Sequence, residues 1–392
     1  MLIVLLAFRN IVGAGLRTWL NVFVLSVAFL AIVWNQGFIN GMAEQMMKEM
    51  VDTELGGGQY WHRAYDPYDP LTLEDARGSL PAPLADLVSA GKAAAVLIAS
   101  GAIFPEGRLQ TTLLKGIEPG QRIVNIPSAS LEAGEGDPIP ALIGARMARQ
   151  TRLKVGDTVT IRWRDMHGTF DAADIRIVHI MNTNVPSVDS GQVWLPLARL
   201  REMLQAPGQA TLLVLKKQTV SVASGDPRWV YRDLDYLLKE VREIIKNKSV
   251  GSSIFYLLLL GMALLAVFDG QVLAVFRRHK EIGTLMALGM PRGTVIGLFT
   301  LEGALHGVMA VLVGALYGIP LLVYSAHKGM AVPEIAGNMG VAVSSTLYPS
   351  YGLGLVVGTT LVVLAAVTVV SFLPTRRISK LKPTDVMRGK LA

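Results

Sequence analysis

The sequence predicts an α-helical membrane protein with four transmembrane helices plus a mixed α/β extracytoplasmic domain. Three observations carry this expectation. Of the 392 residues, 51% are hydrophobic and 17% charged, and the mean hydropathy is +0.43, more apolar than is usual for a water-soluble chain. The apolar residues gather into four runs, each long enough to cross about 30 Å of hydrocarbon. The stretch from Glu44 to Lys248 has instead the mixed make-up of a domain in water.

The first run, Thr18 to Met42, carries no formal charge, and the preceding Leu2 to Leu16 has the pattern of an amphipathic helix lying in the interface; together they make a segment 1–43. A basic residue before an apolar run also opens secretory signal peptides, but this run is longer than a typical signal core. The second run, 249–276, is interrupted by Asp269. The third, 294–327, holds Glu302 and His306 near its start, and the fourth covers 351–375.

Basic residues decide the orientation. Arg9 and Arg17 precede the first run, Arg277, Arg278, Lys280 and Arg292 lie in the connection 277–293, and Arg376, Arg377, Lys380, Lys382, Arg388 and Lys390 fill the tail 376–392. The positive-inside rule places these on the cytoplasmic side of the membrane, with both termini inside. The domain 44–248 and the loop 328–350 then lie outside. The net charge of +7 and the pI near 9.5 are accounted for by this flanking charge, so no nucleic-acid partner is expected.

Within the outer domain, TVTIRW (158–163), IRIVHI (175–180) and TLLVL (211–215) read as strands, whereas Ala141 to Gln150 and Leu197 to Leu204 read as short helices. Tyr231 to Lys246 places Leu234, Leu237, Leu238, Val241, Ile244 and Ile245 at helical spacing and reads as an amphipathic helix leading into the second span. Gly56, Gly57 and Gly58 mark a turn.

Several chemistries are excluded or disfavoured. There is no cysteine, hence no disulfide, thiolate ligand or cysteine nucleophile. No G-x-x-x-x-G-K-[ST] phosphate loop occurs, so the chain is not expected to hydrolyse ATP or to bind a cofactor itself. His62, His167 and His179 lack metal-ligand spacing. Asp269, a carboxylate inside a span, is a candidate proton relay or a partner for Arg277 near the interface. Glu302 and His306 lie one turn apart.

The most informative stretch is RRHKEIGTLMALGMPRGTVIGLFTLEG, residues 277–303. A basic start, then Ile282, Leu285 and Leu288 along one face, then Gly289 and Pro291 as a break, describe a short helix at the membrane surface between two spans. Arg278, Glu281, Ile282, Gly283, Ala287, Leu288, Gly289, Arg292, Glu302 and Gly303 resemble, position by position, a motif of the MacB and FtsX permease superfamily of ABC transporters. The tail PTRRISKLKPTDVMRGK (374–390) is similar to that family's ending, with Asp385 where glutamate is usual. ALIGARMARQTRLKVGDTVTI (141–161) and WLPLARLREML (194–204) resemble its extracytoplasmic domain. LGGGQYWHRAYDPYDP (55–70) and Trp229 look most like the lipoprotein-releasing branch, LolC and LolE.

This resemblance implies that 277–293 is a coupling helix gripped by a separate ABC ATPase subunit, which would hold the ATP and Mg. It further implies pairing with a second permease copy or paralogue, action by mechanotransmission, and lipoprotein or other lipophilic cargo drawn from the outer leaflet, with a periplasmic acceptor or adaptor. Efflux of the MacB kind and non-transporting regulation of a cell-wall hydrolase, as in FtsX, are the alternative functions it implies. The size of the outer domain argues against the latter.

Overall fold

The computed structural model describes residues 15–132, 138–183, 185–331 and 346–376. The interfacial helix expected over Leu2 to Leu16 falls mostly on 1–14, and the basic tail falls on 377–392, outside the described residues. In chain order the helices are α1 (Leu16–Met50), α2 (Ala82–Ser89), α3 (Ala145–Thr151), α4 (Pro186–Gly191), α5 (Leu197–Met203), α6 (Leu234–Leu237), α7 (Lys239–Arg277), α8 (His279–Ala287), α9 (Arg292–Lys328) and α10 (Leu353–Thr375). The strands are β1 (Gln59–His62), β2 (Gly78–Ser79), β3 (Ala93–Ile103), β4 (Gln110–Ile117), β5 (Ile139–Gly144), β6 (Thr158–Arg164), β7 (Phe170–Met181), β8 (Gln192–Pro196), β9 (Gln209–Ala210), β10 (Leu212–Leu215), β11 (Trp229–Arg232), β12 (Met330–Ala331) and β13 (Thr346–Leu347). These elements form two units: a helical unit from the described parts of Met1–Ala43, Ile244–Ala331 and Thr346–Ala392, and a sheet unit from those of Glu44–Glu243.

In the helical unit, four helices are long and apolar enough to cross a membrane. Their packing is organised by two pairs of glycines on α9, each pair spaced four residues apart. Gly303 and Gly307 meet Ser371 and Leu364 of α10, and Gly314 and Gly318 meet Phe29 and Leu30 of α1. Small residues at this spacing let helix backbones approach closely, which is how apolar helices gain dispersion energy where there is no hydrophobic drive between them. The core between them comes from Val22, Leu25 and Phe29 of α1, Val267 of α7, Ala310 of α9 and Val367 of α10. Side-chain hydrogen bonds cross between helices, from Thr359 Oγ1 to Gln36 Oε1 (3.0 Å) and from Tyr256 Oη to Asn35 Oδ1 (3.0 Å).

The sheet unit is built on a nine-stranded sheet in the order β11-β1-β10-β3-β4-β8-β5-β7-β6, and β6 pairs back onto β3. Six strands therefore close into a ring, β3-β4-β8-β5-β7-β6, from which β10, β1 and β11 extend. The strand β3 permits this because it is 11 residues long: its first part pairs with β10 and its last three residues with β6. Along β6, Val159, Ile161 and Trp163 are buried and their neighbours exposed, the period-two pattern of a strand with one wet face. All six ring strands feed one apolar core, which α3 and α5 cover with Met147, Leu197 and Leu200.

Two expected helices are corrected here. Residues Ala141 to Gly144 belong to β5, and the helix starts only at Ala145; all six residues of β5 are buried, so a run buried on both faces shows no alternation to betray it. Tyr231 and Arg232 belong to β11. The helical turn begins at Leu234 because the Asp233 carboxylate accepts from the Tyr236 N–H at 2.8 Å and caps it.

Candidate functional site: a pinned helix between two long apolar helices

The nine-residue α8 is set off from α7 by Arg278, whose backbone leaves the helical region (φ −99°, ψ 15°). The Arg278 side chain fastens this break. Its Nη1 donates to both carboxylate oxygens of Glu302 on α9, at 2.9 and 3.0 Å, and its Nε donates to Glu281 Oε2 at 2.7 Å. The guanidinium carbon lies 4.9 Å from the centroid of the Phe299 ring. The Glu302 side chain is 7% exposed. Burial works against the charge of Arg278, but the hydrogen bonds and fields of Glu281 and Glu302 outweigh it and raise the pKa above that of an ordinary arginine. Arginine suits this position because one planar fork serves two carboxylates and stacks on a ring.

Below this anchor, Ile282 packs with Val295 and Phe299 of α9 in a small apolar core flanked by Leu285, Met286 and Met290, and Gly283 is buried beside it. The helix ends by a glycine-dependent cap: the Gly289 N–H donates to Met286 O (3.1 Å) and the Met290 N–H to Leu285 O (3.0 Å), with Gly289 at φ +91°. This is the paired-bond ending that favours glycine and brings an apolar contact with it, here Leu285 with Met290. Pro291 follows in an extended conformation and starts α9 at Arg292.

The motif residues thus divide by location. Arg278, Ile282 and Gly283 face inward and Gly289 forms the end; Glu281, Ala287, Leu288 and Arg292 are on the exposed side. Leu288 is 80% exposed at the C-terminal end of α8, which makes it a protruding apolar knob. Asp269 is exposed on α7, and no ion pair joins it to Arg277; eight residues of helix put about 12 Å between them, beyond side-chain reach. His306 Nδ1 donates to the Glu302 backbone oxygen at 2.8 Å, not to its carboxylate. Sequence reasoning missed Phe299, and also Gln271 and Ser371, both buried against Gly303. A lone glutamine in an apolar run was the available signal. Among the described residues, no group of three or more His, Asp or Glu is placed to hold a metal.

Residues 253–383, which take in most of α7 and all of α8, α9 and α10, match the family described as FtsX-like permease C-terminal. Among solved structures, the chain is similar to the periplasmic region of MacB from Actinobacillus actinomycetemcomitans, at 10% identity and a TM-score of 0.33 over 47% of this chain and 92% of that one. It is also similar to the extracellular domain of the noncanonic ABC-type transporter YknZ from Gram-positive bacteria, at 10% identity and a TM-score of 0.27 over 42% of this chain and 84% of that one. No curated protein matches the chain.

Proposed function

We propose that the chain is the membrane-spanning permease subunit of an ABC transporter of the MacB/FtsX superfamily, in its lipoprotein-releasing branch. The observation that carries this reading is the exposed Leu288 on a helix whose other face is fixed to α9 by Arg278, Glu302 and Ile282. Such a helix gives a separate ATPase an apolar knob to grip and passes a push on it to α9 without bending. In this reading α8 lies in the cytoplasm and the sheet unit outside the inner membrane, a second permease copy or paralogue completes the pair, and ATP and Mg reside in the ATPase. Closure of the ATPases would shift the long helices as levers and lift acylated cargo from the outer leaflet towards an acceptor. Each acyl CH₂ removed from lipid costs about 0.8 kcal/mol, so a multiply acylated protein needs the ATPase as its energy source.

Leu288→Asp tests this directly. Purified from its native membrane, the unsubstituted chain is expected to bring an ABC ATPase with it, and Leu288→Asp to reduce that recovery at least about tenfold, as loss of a central apolar anchor does at other interfaces. Equal recovery of the ATPase with both, or none with either, would remove the coupling role.

A further inference from the structure

The sheet unit carries a cavity of about 470 Å³ beside the start of β3, within the size range of small-ligand sites. The strand β3 pairs with β10 from Ala93 onwards but with β4 only from Val96, opposite Ile117. There β4 ends as the chain approaches Pro119, which has no N–H to give a ladder. Ala93, Ala94 and Ala95 are left without a β4 neighbour, and their small side chains keep the notch open. Its apolar wall comes from Leu80, Val88 and Ile123, all of them half-buried.

Three cations line the same cavity from three separate places: Arg122 in the loop after β4, Arg201 on α5 and Lys216 directly after β10. Arg122 and Lys216 are exposed and Arg201 is half-buried. Arg201 Nε donates to the Gln209 backbone oxygen at 2.9 Å, but among the described residues no carboxylate forms an ion pair with any of the three. Glu118 is the one carboxylate in the lining among the described residues, and Glu132 comes close through Gly120 without lining the cavity. Even with both counted, the cations are in excess. Burial pushes the Arg201 guanidinium below the usual arginine range, and the field of Glu118 opposes this only in part. Desolvating a charge without a counter-ion is costly, so an anion entering the notch gains what the protein itself does not supply.

The arrangement also selects the kind of anion. A carboxylate offers two oxygens, whereas a phosphate monoester offers three acceptor oxygens and a charge between about −1.5 and −2 at neutral pH, one oxygen for each of the three cations. Guanidinium groups suit such an oxyanion because their planar forks donate in pairs. We propose that this notch binds a phosphate monoester carrying an apolar chain: the phosphoryl oxygens accept from Arg122, Arg201 and Lys216, and the chain lies against Leu80, Val88 and Ile123. Binding of this kind needs the sheet unit alone and holds whether or not the chain couples to an ATPase.

The test is calorimetric titration of the full chain in phosphatidylcholine nanodiscs with hexyl phosphate at neutral pH, referenced to empty nanodiscs. Saturable binding is expected, with inorganic phosphate, which lacks the chain, and hexanoate, which has two oxygens, each at least tenfold weaker. Arg201→Gln is expected to weaken hexyl phosphate at least tenfold. If that variant does not fold, Arg122→Gln with Lys216→Gln, both at exposed positions, carries the same expectation. Absence of saturable binding to the unsubstituted chain, inorganic phosphate or hexanoate binding as tightly as hexyl phosphate, or full affinity in a folded variant would overturn the proposal.

Discussion

Arg278→Ala is expected to destabilise the helical unit by about 3–5 kcal/mol, because it removes the guanidinium from which both oxygens of the buried Glu302 carboxylate accept. The cost comes from a buried charge that has lost this guanidinium rather than from the worth of the pair. Replacing both members by apolar residues of similar size, Arg278→Met with Glu302→Leu, is therefore expected to cost less than either Arg278→Ala or Glu302→Gln with Arg278 retained. Denaturant unfolding of the full chain in mixed micelles, followed by helical circular dichroism, reads both effects. Strictly additive losses would mean that Arg278 and Glu302 do not act on one another.

The second large effect is steric. A Cβ at residue 303 would fall 2.1 Å from Ser371 Oγ and 2.2 Å from Ser371 Cβ. The Cβ of serine cannot swing away, so Gly303→Ala forces α9 and α10 apart and is expected to cost about 1–3 kcal/mol, the range for overpacked cores. Ser371→Gly in the same chain removes the obstacle and is expected to restore most of the loss. Gly314→Ala, whose nearest contact would be Phe29 Cδ1 at 3.3 Å, serves as the mild control. A thermal midpoint for Gly303→Ala/Ser371→Gly no higher than for Gly303→Ala alone would show that the helices are not limited by this contact.

Neither effect was legible in the sequence, and the reason is the same for both. Runs of apolar residues and the basic residues beside them announce the long helices, because length and composition are local properties. The break at Gly289 and Pro291 was equally local. Which residue of α9 meets which residue of α10, or that Arg278 reaches Glu302 across 24 positions, depends on the rotation of one helix against another, and composition does not encode that rotation. In the sheet unit, β6 showed itself by alternation. The strand β3, AAAVLIASGAI, did not, since its first seven residues are buried without interruption and an unbroken apolar run fits a strand or a helix equally. Asp269 drew attention as a charge in an apolar run, whereas Gln271, two residues on and 4% exposed, is the polar group the fold has enclosed.

The ring of the sheet unit closes through only three residue pairs, Gly101, Ala102 and Ile103 of β3 with Trp163, Arg162 and Ile161 of β6. These residues are some 60 positions apart, so the closure forms between distant parts of the chain and carries the slow, non-local character of such contacts. Its benefit is colloidal. A strand circuit offers no continuous row of open backbone groups for another chain to extend, and the extension beyond it ends in β11, four residues long. A unit built this way can stand at high local density on a surface, copy beside copy, and associate through side chains without templating fibres.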